Sequence, residues 1–250
     1  MLIDTNVHLG PWPFAEIPVK SGLDLTRLLA THGIDRALVS PLDAAFLPDP
    51  LPANRRMLAA VKSIPALVPV PVINPALGHW REQLEFCVRA DVRAVKLLPN
   101  YHHYRLTDRR VTEFMTALAA TRLKLVINIR LQDERTSYFA LRIKGVPTAD
   151  LSAFLALHPD LHPLLTGLQR PALKTLASQR TNFSADISFC EWLDTVADLL
   201  TALPAARLLF GSGAPLLCPR AQADKLRLAD IPARIKKQIG TTNAVRFFRL

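Results

Sequence analysis

The residues whose types and spacing could do chemistry begin almost at once, in the stretch Asp4-Thr5-Asn6-Val7-His8. On an extended strand Asn6 and His8 are two positions apart and project from the same face. That is where a hydrolase would carry a pair of histidines on a metal ion. Here one of the pair is an amide, a poor zinc ligand beside an imidazole. The stretch is therefore either a metal site short of a ligand or a site that works without metal. Further chemistry-bearing side chains follow at intervals: Lys96, the run Asn100-Tyr101-His102-His103-Tyr104, then Asn128, Arg130, Asp133, Glu134 and Arg135, then Thr166, Asp186, Ser188 and Ser212. This set is rich in amides, hydroxyls and cations, and poor in the His and carboxylate pairs that hold divalent metals.

Each candidate is open to more than one reading. His8 is a catalytic acid or base, or a hydrogen-bonded polar residue. Lys96 suits an anionic ligand, or a Schiff base if burial lowers its pKa, or an ion pair with Asp186. Arg130 and Arg135 can grip a carboxylate or phosphate bidentately, or they pair with Asp133 and Glu134 and hold their loop. His102 and His103 are adjacent and point apart, so at most one joins a site; with His8 and one of the two acids it would make a relocated metal centre, and otherwise it bonds the loop backbone. Trp12 and Phe14, in Gly10-Pro11-Trp12-Pro13-Phe14, either cover a pocket or pack on a rim.

The elements that must position these side chains alternate in kind. Short β-branched or leucine-rich runs predict strands at 2–5, 37–40, 67–74, 94–97, 124–128, 163–166, 183–186 and 208–211, and segments of helical period predict helices at 24–31, 53–61, 79–90, 110–120, 149–156, 171–177 and 191–202, with more after 220. Asp24 is a plausible N-cap and Pro171 suits a first helical turn. Eight short apolar strands, each followed by a helix, imply a parallel sheet covered by helices and closed as a (β/α)₈ TIM barrel over residues 1–250, one domain. In that architecture working residues stand at the C-terminal ends of the strands, which is where the candidates above fall. The longest irregular connection, 130–148, lies at that end and is expected to cover the pocket.

Bulk composition narrows the class. Half of the 250 residues are hydrophobic, enough for a full core. Apolar runs are short and broken, below the ~20 residues of a membrane span, and the first residues carry no basic segment or cleavage pattern. Three scattered cysteines, Cys87, Cys190 and Cys218, fit reduced thiols. A cytoplasmic protein is expected. Lys and Arg outnumber Asp and Glu by 31 to 21, giving +10, but the charge is scattered without a basic tract or interleaved aromatics, so neither nucleic acid nor membrane is an expected partner.

Seven stretches in order, IDTNVHLG, AVKLLPNYHHYRLTD, LVINI, HPDLHPLLTGL, TNFSADIS, LLFGSGAP and IGTTNAVRFFRL, span nearly the whole chain. On them the chain resembles the amidohydrolase-related proteins, the branch of metal-dependent hydrolases that includes aminocarboxymuconate semialdehyde decarboxylase-like enzymes. The resemblance implies two histidines from a D-x-H-x-H strand, one at the end of strand five, one at strand six, and an aspartate in a G-[ST]-D-x-P turn after strand eight. This chain has Asn6, His8, Asn128, Thr166 and Gly213 at those positions, so four of the five cannot do the implied job.

The expectation is thus a divergent hydrolase or decarboxylase for a small, anionic organic substrate, without cofactor unless a divalent metal such as zinc has relocated. His8 and Asp186 would be its catalytic pair, and Asn6, Lys96, His102, Asn128, Arg130 and Arg135 its ligand-binding residues. The alternative is a catalytically inactive barrel that binds a ligand or a protein partner. By resemblance the chain is expected to pair as a homodimer.

Overall fold

The computed structural model describes residues 1–135, 138 and 142–250. Among them eight strands alternate with helices: β1 (Ile3–Leu9), α1 (Gly22–Ala30), β2 (Arg36–Pro41), α2 (Leu51–Val61), β3 (Leu67–Pro69), α3 (Trp80–Arg89), β4 (Ala94–Leu97), α4 (Arg109–Ala119), β5 (Lys124–Asn128), α5 (Thr148–Leu157), β6 (Leu164–Thr166), α6 (Arg170–Gln179), β7 (Ser184–Asp186), α7 (Thr195–Leu200), β8 (Leu208–Leu209), then α8 (Pro219–Arg227), α9 (Ala233–Lys237) and α10 (Asn243–Phe248). All neighbouring strands pair in parallel, in the orders β1-β2-β3 and β4 through β8. Two seams close the ring. The chain after β3 pairs with β4, where Lys96 N–H donates to Pro71 O (2.8 Å) and Ile73 N–H to Lys96 O (3.0 Å); at the other seam Thr5 N–H donates to Phe210 O (2.9 Å) and His8 N–H to Ala214 O (2.8 Å). The expected TIM barrel is therefore the observed one, and no helix of the described residues is long and apolar enough to cross a membrane.

The barrel interior follows the two-residue period of the strands. Its lower half is apolar: Ile3, Leu38, Val70, Ala94, Val126, Leu164 and Leu209 pack together, with Ala244 and Phe248 of α10 closing the bottom. Two residues further along, β4, β5 and β6 present Lys96, Asn128 and Thr166, and β7 adds Asp186, all buried. Hydrophobic packing thus holds a polar layer at the upper end.

Boundaries differ from expectation where local bonding outweighs periodicity. Helix α1 starts earlier because Ser21, not Asp24, is its N-cap: Ser21 Oγ accepts from Asp24 N–H (3.2 Å) and donates to the Asp24 carboxylate (2.8 Å). Helix α7 is shorter than expected because Asp194 caps it, accepting from Ala197 N–H. Within β1 the register against β2 slips between Asp4 and Val7, and Asp4 Oδ1 accepts from Asn6 N–H (3.0 Å) at that bulge. Of the long connection 130–148, residues 136, 137 and 139–141 lie outside the described residues.

Candidate active site

The polar layer is centred on Lys96. Its Nζ donates to Asn6 Oδ1 (3.2 Å) and lies 3.4 Å from His8 Nε2. Asn6 turns its amide nitrogen the other way, donating to Asp186 Oδ2 (3.0 Å). Asp186 is held from two further sides: Oδ2 accepts from Ser188 Oγ (2.8 Å) and Oδ1 from Gly167 N–H (3.0 Å). Asp4 lies beneath, its Oδ1 accepting from the backbone N–H of Asn6 and of Ser212. Beside this cluster Asn128 Nδ2 donates to Thr166 Oγ1 (3.1 Å). Lys96, His8, Asn6, Asp4 and Asp186 are each at most 2% exposed.

Burial sets the charge states. It lowers the Lys96 ammonium to about 8, with Asp186 and Asp4 opposing the shift. It raises the Asp4 carboxyl to about 7, against the hydrogen bonds from Ser212 and Asn6. Asp186 is raised as well, and its three hydrogen bonds and Lys96 oppose this. His8 is held well below the usual imidazole range, by burial first and by the Lys96 charge second. A neutral His8 accepting from Lys96 through Nε2 carries its ring proton on Nδ1. Among the described residues that Nδ1, Asp4 Oδ2 and Asn128 Oδ1 are buried without hydrogen-bond partners, so the layer keeps donor and acceptor capacity unspent.

Of the residues singled out from the sequence, the fold brings together Asn6, His8, Lys96 and Asp186. Asn128 ends β5 beside them, and Arg130 follows. The Arg130 side chain is 10% exposed and lies 3.5 Å from Glu134, and its Nε and Nη1 are buried without partners among the described residues. His102 and Arg135 are placed elsewhere. His102 Nε2 meets Ala44 O (2.9 Å), and the ring lines a separate cavity of ≈ 440 Å³ with His103 and Asn74. The Arg135 guanidinium is exposed and bidentate on Asp133, with contacts of 2.5–3.1 Å. Asp4 also belongs to the site, and the sequence signal for it is the same period of two that pairs Asn6 with His8.

Above the polar layer an aromatic cluster covers the mouth. Trp12 and Phe14 pack edge-on against Phe46, Phe46 against Tyr101, and Phe14 stacks on Tyr138 with ring centroids 5.6 Å apart. The volume enclosed among these rings is ≈ 10 Å³, room for about one water.

The five positions of the implied metal set can be tested against this geometry, and they do not fit a divalent ion. Only His8 among them is an imidazole. At Gly213, whose φ is +71°, a Cβ would come within 2.8 Å of Leu217 Cδ1, so the space for the implied carboxylate is filled. Among the described residues no group of three or more His, Cys, Asp or Glu is gathered around a common point. Instead an ammonium lies between the donor atoms of Asn6 and His8.

Comparison with known proteins agrees with the fold. The amidohydrolase family model matches residues 3–250. No curated protein matches in sequence. Solved structures do: 2,6-dihydroxybenzoate decarboxylase from Rhizobium at 14% identity and a TM-score of 0.77, covering 99% of this chain and 98% of that one; 5-carboxyvanillate decarboxylase from Novosphingobium aromaticivorans with manganese and 4-hydroxy-3-methoxy-5-nitrobenzoic acid, at 14% and 0.80, covering 100% and 96%; and a dihydroxybenzoic acid decarboxylase from Polaromonas sp. JS666 with manganese and 2-nitroresorcinol, at 15% and 0.71, covering 100% and 97%. At such identities the likeness speaks for the barrel, while the family match runs over the chain from its first strand to its last residue: this protein belongs to the amidohydrolase family.

Proposed function

We propose that the barrel acts on a small organic acid, by decarboxylation or hydrolysis, without a bound metal. The observation that carries the reading is the buried cluster in which Lys96 joins Asn6, His8 and, through Asn6, Asp186 at the C-terminal ends of the strands. Structural packing alone gives no reason to bury an ammonium, two carboxylates and an imidazole together, since each costs solvation free energy. The structural likeness to decarboxylases of hydroxylated benzoates supports an aromatic or similarly planar acid. In this reading Lys96 and Arg130 supply positive charge for the substrate carboxylate, and Asn6 and Asn128 orient it. His8, kept neutral, accepts a proton at Nε2 once Lys96 turns toward substrate, and Asp186, with its raised pKa, returns one. The aromatic lid excludes water from the carboxylate.

The test is a panel of hydroxybenzoates and lactones assayed by product formation, and by calorimetry for binding. Lys96→Met and Arg130→Gln should each weaken binding of the active acid by at least tenfold. If neither affects affinity, the reading is wrong.

One observation favours a second reading, a barrel that binds without turnover. Each member of the cluster is at most 2% exposed, so a substrate reaches it only if the loops at the strand ends part. If the lid does not open, the polar layer serves the fold alone. Hydrogen exchange at Trp12 and Tyr101 separates the two, since a working site requires opening that a silent one does not.

A further inference from the structure

The two strand-one positions that the family uses for metal, Asn6 and His8, both aim their polar atoms at one point, and that point holds Lys96 Nζ, 3.2 Å from Asn6 Oδ1 and 3.4 Å from His8 Nε2. The charged groups facing it come from other elements: Asp186 on β7, reached through the Asn6 amide, and Asp4 on β1, whose Oδ2 has no partner among the described residues. An amide oxygen and an imidazole nitrogen meet the ammonium directly, and the two buried carboxylates act on it from beyond contact distance. Here the cation belongs to the chain. We propose that the Lys96 ammonium is a built-in substitute for the divalent ion, held by donors too few to keep a metal, and that its removal leaves a space that fits a small ammonium.

Three features make the substitution consistent. Asn6 in place of an imidazole supplies an oxygen that accepts from an ammonium, which a metal-binding nitrogen and a neighbouring ammonium would otherwise contest. Its amide nitrogen then reaches Asp186, so that one side chain relays the carboxylate's charge to the lysine. Leu217 occupies the space beside Gly213 where the family's aspartate would extend. Lys96 is also among the largest fully buried side chains of the described residues, so its truncation leaves room for a small amine. The inference rests on the same site as the proposed function but not on turnover.

Its test uses the full-length chain. Wild-type protein, stripped with chelator, equilibrated with Mn²⁺ or Zn²⁺ and desalted, should retain substoichiometric metal, and its melting temperature should not move. Lys96→Ala, which gains no ligand, should stay equally poor in Mn²⁺. Its melting temperature should rise in propylammonium chloride, which replaces the deleted methylenes and ammonium, and should not rise in sodium chloride or in the neutral isostere 1-propanol. Stoichiometric metal in the wild type overturns the inference. So does a Lys96→Ala protein that takes up stoichiometric Mn²⁺ or is indifferent to propylammonium. Should that variant fail to fold, ¹⁵N-lysine spectra of the wild type decide: a protected Lys96 ammonium signal unmoved by equimolar Mn²⁺ supports the substitution, and paramagnetic broadening of it refutes it. Failure of every carboxylate assay would leave these readouts intact, so the two proposals stand or fall separately.

Discussion

Lys96 reaches Asp186 through the side-chain amide of Asn6, which accepts from the lysine at 3.2 Å and donates to the carboxylate at 3.0 Å. The amide is a two-sided relay that an ionised aspartate, an acceptor only, does not reproduce. Asn6→Leu removes both contacts while keeping the same branched skeleton. Asp186 keeps Ser188 and Gly167, whereas Lys96 keeps only His8 as a close partner, so the cost falls mainly on the buried ammonium. A loss of about 3 kcal/mol in unfolding free energy is expected. Denaturant unfolding of the variant measures it, and a change below about 0.5 kcal/mol, the size of a typical surface substitution, would show that the relay does not stabilise the layer.

Asp4 makes stability depend on pH in a specific direction. Its folded pKa, about 7, lies above the ordinary 3.8. Between those values the unfolded chain has shed a proton that the folded chain keeps. The contribution is therefore fully present below about pH 4 and is lost as pH rises through 7. Asp4→Asn, which retains an acceptor for Asn6 N–H and Ser212 N–H, removes this dependence. Thermal scans from pH 4 to pH 8 should show the variant gaining on the wild type with rising pH, by on the order of 3 kcal/mol. Parallel curves would mean that Asp4 is already ionised in the fold.

What could be read before the fold was known follows the chain's own periodicities. The two-residue alternation that puts Ala94 below Lys96, Val126 below Asn128 and Leu164 below Thr166 is written in the strands, and so the barrel and the membership of Lys96, Asn128 and Asp186 in one layer were legible. Asn6 and His8 were legible as a pair, and the same period extends to Asp4, but the bulge within β1 was not, because a register slip depends on the partner strand. His102 and Arg135 lie in loops, where no period dictates direction; a backbone carbonyl and a near aspartate settle them instead. The Asn6 relay was out of reach as well, since it depends on which side chain stands between two others rather than on spacing along one strand.

Gly145 controls where Arg130 can be. A Cβ at residue 145 would come within 2.2 Å of Arg130 Nη2, so Gly145→Ala forces the guanidinium aside. Its end is flexible, and the fold should survive with a modest stability loss of about 1 kcal/mol. If Arg130 anchors the substrate carboxylate, Gly145→Ala and Arg130→Gln weaken binding by similar factors, and the double variant is no worse than either single one. Additive losses in calorimetric affinity would place the role of Gly145 in the loop and not in the guanidinium.

Gly211 stands in the same relation to Asp186, with a harder consequence. A Cβ there would lie 2.5 Å from Asp186 Oδ2 and 2.9 Å from its Cβ. Unlike Arg130, this carboxylate has nowhere to go: Asn6 and Ser188 hold Oδ2, and Gly167 N–H holds Oδ1. Gly211→Ala should therefore cost about 1–3 kcal/mol through overpacking and also break the Lys96 relay. Asp186→Ala alone leaves Lys96 under-compensated and is destabilising too. Joined, the two substitutions relieve part of the steric fault, because the Oδ2 and Cγ contacts go while the 2.9 Å contact to the residue-186 Cβ remains. The double variant should be more stable than the sum of the single losses predicts by at least about 1 kcal/mol, the coupling expected of residues in direct contact. Strict additivity in a double-mutant unfolding cycle would mean that Asp186 is not pinned against Gly211, and that the carboxylate is free to move within the layer.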